Sequence, residues 1–339
     1  MSAIEFGIFL TMPSPDARPS REIYDLGTEL VLRAESLGFA RAWLAEHHFS
    51  TYSYSSRPFL FLSYLAARTH RIRLGTAIVP LPLHQPLLVA EEVATMDVLC
   101  GGRVDLGIGK GYQRYQFDRL GVERREDAAS FYEPAEVIRQ ALLGEPFVFK
   151  GEHIQLPETR IFPQPLQRPV PLWCVVNTQR PEMVRFALER DMNLFTGVLE
   201  PISRLRNVRT DLEGDYPRIG HIATHRPVFV SHDRDDIAMA LEHVRWNARV
   251  SVSQRHDFGR VEGGRAVAKI LPGEPTAEEI LEDYVVFGTP EECIRQIRRI
   301  QQGLGCTSFS ASFWFGALPA ELIRRSMDLF AREVIPAFA

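Results

Sequence analysis

The chain of 339 residues holds no run of 18 apolar residues, so no part of it reads as a membrane-spanning helix. Cysteine is scarce. Cys100, Cys174, Cys293 and Cys306 lie far apart, with no CxxC pair and no neighbouring histidine pair; this spacing fits neither a disulfide framework nor a zinc site, and reads as four buried reduced thiols. A basic excess is also missing: 39 Lys and Arg stand against 43 Asp and Glu, a formal net charge of −4. Nucleic acid, whose phosphates need a clustered basic face, is therefore not an expected partner. The opening MSAIEFGIFL has an acidic residue and no basic stretch, unlike a secretory leader. A cytoplasmic protein with no membrane attachment is the expectation. With 45% hydrophobic and 24% charged residues, the composition is that of a globular protein and excludes disorder.

What is present is a rhythm. Short apolar runs at Ile4–Leu10, Arg41–Ala45, Ile72–Val79, Val104–Ile108, Leu172–Val176, Asn193–Gly197, Arg226–Val230 and Thr307–Phe315 alternate with longer amphipathic stretches. The first of those stretches, Arg21–Leu37, places Ile23, Leu26, Leu30, Ala34 and Leu37 on one helical face and stops at Gly38. Another opens at Pro86 and ends before Gly101-Gly102, with proline inside the start and glycine past the end. About eight β/α units predict a single α/β domain over 1–339, a closed (β/α)8 TIM barrel with insertions; an open doubly wound sheet is the alternative. Phe147–Leu166 reads as a hairpin-like excursion. Ser251–Val286, rich in Gly and Pro and without a long periodic segment, reads as an inserted lid or a plain surface loop.

In such a barrel the chemistry sits just after the strands. The second strand is followed by Ala45-Glu46-His47-His48-Phe49. A carboxylate beside two imidazoles can move protons near neutral pH; the same residues could be structural, or metal ligands, although no third ligand is evident and no metal is expected. After the third strand, Val79 to Pro86 forms a stiff apolar turn containing His84, suited to lining a flat ligand or simply to rigidity. The fourth strand ends in Gly107-Ile108-Gly109-Lys110-Gly111-Tyr112. Its glycines expose backbone N–H groups and Lys110 could meet a phosphate. It is not a Walker A loop, because Val104 and Gly111 stand where Gly and Ser/Thr are required, and Tyr112 breaks the dinucleotide fingerprint. After the fifth strand, Asn177, Thr178 and Arg180 precede Pro181 at a helix start, an anion site or a solvated cap.

These segments resemble the bacterial luciferase-like family of flavin-dependent monooxygenases. The likeness rests on AEHHF at 45–49, LGTAIVPLPLHQPLLVAEEVATMDVLCGGRVDLGIGKGY at 74–112, FGTPEEC at 287–293 and the C-terminal MDLFAREVIPAF. It spans most of the chain and is weaker across 145–280. The resemblance implies a β/α barrel that binds reduced FMN, supplied by a separate NAD(P)H:flavin reductase, and uses molecular oxygen through a flavin hydroperoxide to oxygenate a small organic substrate. It assigns His47 as the catalytic base that steadies the flavin intermediate. The turn at Thr76 and Ala77 would support the ring, in some relatives through a non-proline cis peptide. Lys110, Gly111, Tyr112, Asn177, Thr178 and Arg180 would surround the phosphate end. Glu46, His48, Tyr52, His84 and Trp314 would line the substrate pocket, and 251–286 would close over it. A homodimer through the helices beside the second and third strands is implied as well.

Two departures stand out. Lys110 replaces the family's phosphate-binding arginine, losing bidentate geometry, and the second such arginine falls near Asp127 and Ala128, which are not basic. Either Arg180 substitutes for that charge, or FMN binds more loosely, as for a diffusible cosubstrate. A deazaflavin-dependent hydride-transfer oxidoreductase, a non-catalytic flavin-binding barrel and, more distantly, a metal-dependent hydrolase are the other readings.

Overall fold

Strands form where β-branched and aromatic residues run between Gly, Pro and Asn punctuation. A computed structural model describes residues 4–177, 181–197, 200–205, 208–214, 216, 219–255 and 259–338. Eight parallel strands close into a barrel: Glu5–Leu10, Arg41–Leu44, Arg73–Thr76, Val104–Gly109, Leu172–Val176, Asn193–Thr196, Ile222–Val230 and Ser308–Ser312. The eighth pairs with the seventh on one side and the first on the other, which completes the ring. Helices cover the outside, including Ser20–Ser36, Pro58–Ala66, Pro86–Leu99, Ala129–Leu143 and Pro290–Leu304. Thr289 and Glu292 form a reciprocal capping box at the start of the last of these. Among the described residues, no helix is long and apolar enough to cross a membrane.

Several boundaries differ from the sequence expectation. The third strand stops at Thr76 and resumes as Val79–Pro80, with the cis Ala77–Ile78 peptide between them. The excursion after Phe147 is an antiparallel hairpin, Phe147–Lys150 with Gln155–Thr159, set outside the barrel. The seventh strand begins at Ile222, ahead of the expected Arg226; His225, Arg226 and Pro227 conceal it in an apolar pattern, yet all three pair with the eighth strand. The segment 251–286 is not a plain loop. The helix Arg234–Arg255 runs on past Val250, Arg260–Glu262 pairs with Arg265–Val267 as a small hairpin, and Ala277–Asp283 is a helix. Thr276 and Glu279 form a capping box at that last helix, a local signal the composition of the segment hides.

The barrel is filled from below. At its floor Asp105 receives Arg73 at 2.8 Å and the Trp173 indole N–H at 3.3 Å, with Arg41 Nε at 3.4 Å. Above that lie Trp43, Trp173 and Phe195, each at most 1% exposed, with Trp43 centroids 5.2 Å from Trp173 and 4.8 Å from Phe195. Rings this large need space, and glycine provides it. A Cβ at Gly75 would lie 2.3 Å from the Trp43 ring, and one at Gly107 would lie 2.1 Å from the Thr76 carbonyl oxygen.

Gly75→Ala is therefore expected to destabilise the fold by about 1–3 kcal/mol through overpacking. Gly214→Ala, where a Cβ meets nothing within 4 Å, should stay within about 0.5 kcal/mol. Urea melts of the two variants test this; equal effects would contradict it.

Candidate functional site

The second strand ends at Leu44, and its backbone carries Glu46, His47 and His48 onto the C-terminal mouth of the barrel. Glu46 is buried. One of its carboxylate oxygens binds His48 Nε2 at 2.9 Å and His84 Nε2 at 2.6 Å, while the other, Oε2, is buried without a partner. Burial alone would push this carboxyl upward, but the bonds and charges of the two histidines outweigh it and hold Glu46 below its usual range. The turn after the third strand thus reaches back through His84 to fix the loop after the second.

His47 points elsewhere. Its backbone N–H donates to the Ser55 carbonyl at 3.0 Å, and its ring lies edge-on to Tyr52 and Tyr112, with centroids 4.9 and 5.9 Å away. Desolvation, with a smaller push from His48, lowers its pKa to about 4. At neutral pH it is an uncharged imidazole. Tyr52 is enclosed on the far side by Val250 and Ala266, and burial raises its phenol well above the ordinary value. The loop before it is tied to the 251–286 segment: Thr51 N–H donates to the Gly264 carbonyl at 2.9 Å, and Ala266 N–H donates to Thr51 Oγ1 at 3.1 Å.

Beside Tyr52 opens a cavity of about 450 Å³ between the first, seventh and eighth strands and the segment from Val244 to Val285. Phe9, Val252, Leu271 and Phe315 make apolar walls; Thr11, Asn247 and Ser312 add polar edges. Thr11 Oγ1 is buried with no partner. Deeper in the barrel, His225 stacks on Phe9 at 4.4 Å, and burial, with Arg226 beside it, lowers its pKa to about 3.

The remaining expected site residues fall as follows. Thr76 Oγ1 donates to the Gly107 carbonyl at 2.9 Å and accepts from Gly107 N–H at 3.0 Å, stitching the third strand to the fourth. Ala77 packs in the interior cluster with Trp43 and Trp173, immediately before the cis peptide. Lys110 extends toward the loop after the fourth strand, where its ammonium donates to the Glu126 carbonyl at 2.9 Å. Gly111 takes a left-handed φ of 72°, and the half-buried Tyr112 meets Ser251 across 3.4 Å and lies under the Arg255 guanidinium. Asn177 is exposed at the end of the fifth strand; Thr178 and Arg180 lie outside the described residues. Trp314 is fully buried in the main core, with Arg18 5.8 Å from its ring, and is not part of the cavity wall. Among the described residues, no group of three His, Cys, Asp or Glu side chains is arranged to hold a metal ion. Gln113, Gln116 and Gln254 are three buried amides linked in series beside His47. A lone glutamine carries no motif or periodicity that would single it out.

A sequence model of the luciferase-like monooxygenases matches residues 4–307. The chain belongs to this family. Among its relatives are the oxygenase component of the flavin-dependent trigonelline monooxygenase of Acinetobacter baylyi, 26% identical over 99% of this chain and 96% of that protein, and the F420-dependent glucose-6-phosphate dehydrogenase of Amycolatopsis mediterranei, 25% identical over 91% and 92%. Among solved structures, the monooxygenase RslO1 from Streptomyces bottropensis superposes with a TM-score of 0.87 at 23% identity, covering 99% of this chain and 100% of that one. The oxygenating constituent of 3,6-diketocamphane monooxygenase from Pseudomonas putida, in complex with FMN, does so at 0.79 and 17%, covering 99% of each. These two likenesses concern the fold. The relatives of this chain thus include both flavin-dependent and F420-dependent enzymes.

Two desolvated neutral histidines, the half-buried His47 and the buried His225, have a consequence for stability. The unfolded chain protonates His47 and His225 near pH 6.5, whereas the fold holds them neutral down to about 4 and about 3. Acidification below pH 6.5 therefore favours the unfolded state, and above it these two groups add no pH dependence. Each should cost of order 1 kcal/mol per pH unit between about pH 6 and 4. Urea melts of wild type and His225→Phe should show a shallower acid slope in the variant; identical slopes would contradict the assignment.

Proposed function

We propose that this protein is the oxygenase of a two-component, FMN-dependent monooxygenase. It would take reduced FMN from a separate NAD(P)H:flavin reductase and place one atom of molecular oxygen into a small organic substrate. The observation that carries this reading is His47: an uncharged imidazole at a strand end, beside an apolar cavity with buried polar edges. The cavity fits a flat heterocycle bearing N and O atoms, since its apolar walls carry Thr11 Oγ1, a buried polar atom without a partner among the described residues. Bound reduced FMN would supply the electrons that activate oxygen.

The protein's part is position and dryness. The Ala77 backbone and its cis peptide would support the ring, while Lys110, Gly111, Tyr112, Asn177, Thr178 and Arg180 would meet the phosphate end. Glu46, bound to His48 and His84, holds the loop that presents His47. Tyr52 divides His47 from the substrate cavity. The 251–286 segment, tied to Thr51, acts as the lid that keeps water out.

A homodimer through Pro58–Ala66 and Pro86–Leu99 fits the exposed Leu60, Tyr64, Leu88 and Leu99 on those helices; a sedimentation mass near one chain would count against it. The F420-dependent relatives make deazaflavin the competing cofactor.

With reduced FMN, a reductase and labelled molecular oxygen, the product should carry the label, and His47→Ala should lower the rate by about a hundredfold. Turnover under anaerobic conditions with a deazaflavin and none with FMN would overturn the proposal.

A further inference from the structure

The cavity beside Tyr52 carries an excess of positive charge. Three arginines of the helix Arg234–Arg255 stand in its wall, Arg245, Arg249 and Arg255, and among the described residues the only carboxylate there is Glu274. In a chain of net charge −4 this is a local inversion. Arg249 takes Glu274 for itself: its Nε and Nη2 each donate to a carboxylate oxygen at 2.8 Å, a closed fork that leaves neither partner in need of a ligand. Arg255 is exposed and rests over the Tyr112 ring, so water serves its charge. Arg245 is different. Its side chain is 21% exposed, its Nε is buried without a hydrogen-bond partner, and the carboxylate it meets, Glu242 at 3.6 Å, is 68% exposed. A pair with an exposed carboxylate returns little, and a buried N–H left open costs the desolvation of that group. Asn247 adds a second donor. Gly316 N–H donates to its Oδ1 at 2.9 Å, which fixes the direction of the amide and leaves its NH2 group for a ligand.

We propose that this cavity takes an organic anion, with a carboxylate or sulfonate head group received by the Arg245 guanidinium and an apolar body packed between Phe9, Leu271 and Phe315. Such a head group has only acceptors, and the open groups of the wall, Arg245 Nε–H and the Asn247 NH2, are donors. The helix also sets the orientation. From Arg245 to Ser251 it rises by about 9 Å, and Ser251 meets Tyr112, whose ring faces His47. The head group is therefore held at the end of the cavity away from His47, and the body extends toward Tyr52. Oxygen then enters the substrate at atoms remote from the anion. That regiochemistry rests on the monooxygenase reading; the anion site rests on the cavity wall alone. The phosphate of FMN is the other oxyanion in reach, and the test separates the two.

The probes are matched pairs of acid and neutral amide, hexanoate with hexanamide and 4-phenylbutanoate with 4-phenylbutanamide, together with hexanesulfonate. Binding to the flavin-free protein is followed by calorimetry and by saturation-transfer NMR. At least one acid is expected to bind about tenfold more tightly than its amide. Arg245→Gln should abolish that difference, Arg245→Lys should keep part of it as a point charge without the fork, and Arg255→Gln should leave it intact. Ala248→Trp, which fills the cavity, should remove acid and amide together, with urea melts showing that the variant folds. No acid bound at millimolar concentration, acid and amide bound equally, or a preference that survives Arg245→Gln or Ala248→Trp would overturn the proposal. So would an Arg245→Gln protein that loses FMN and binds the acids as before, which would give Arg245 to the flavin phosphate. Acid preference in a protein without oxygenase activity would keep the anion site and reject the monooxygenase reading; oxygenase activity confined to neutral substrates would do the reverse.

Discussion

The mouth of this barrel rests on a plug of three aromatic rings. Trp43, Trp173 and Phe195 fill the interior above the Asp105 floor, and the positions of all the surrounding strand ends follow from how those rings pack. Close-packed interiors do not deform continuously. Gly75 is the concession that lets the Trp43 ring fit, and Gly107 lets the third and fourth strands approach at Thr76. The loops after the second, third and fourth strands therefore leave a rigid collar, and Glu46, His47, His84 and Tyr112 stand on it at fixed separations.

On that collar two electrostatic problems are solved differently. Glu46 is buried and stays low in pKa because His48 and His84 bind it from two loops; the hydrogen-bonded cluster costs desolvation and returns orientation. The half-buried His47 is left without a charged partner at its ring, and desolvation keeps it neutral. One side of the EHH loop thus holds charge to fasten the structure, and the other sheds charge to face a ligand. Adjacent residues have opposite tasks, as their opposite side-chain directions allow.

Much of this was legible from residue pattern. The alternation of short apolar runs and amphipathic stretches locates all eight barrel strands, because each must be apolar enough to be buried on both faces. The EHH cluster stands out because charged residues at a strand end have no packing reason to be there. Other features leave no such trace. The seventh strand starts at Ile222 and runs through His225, Arg226 and Pro227, whose pairing with the eighth strand is a matter of tertiary register. The small hairpin and helix inside 251–286 are short, Gly- and Pro-rich and stabilised by contacts such as Thr51 with Gly264. Gln113 and Gln116 stand at the start of the short helix Arg114–Leu120, and Gln254 on a helix about 140 residues away; only folding brings them together.

The most direct measurement of the central claim is a crystal structure of the protein with FMN bound. The account predicts the isoalloxazine ring against the Ala77–Ile78 turn, with the His47 imidazole in contact with it and Lys110 at the phosphate end. An FMN ring seated away from His47, or a mouth that admits a deazaflavin and leaves FMN unbound at millimolar concentration, would contradict it.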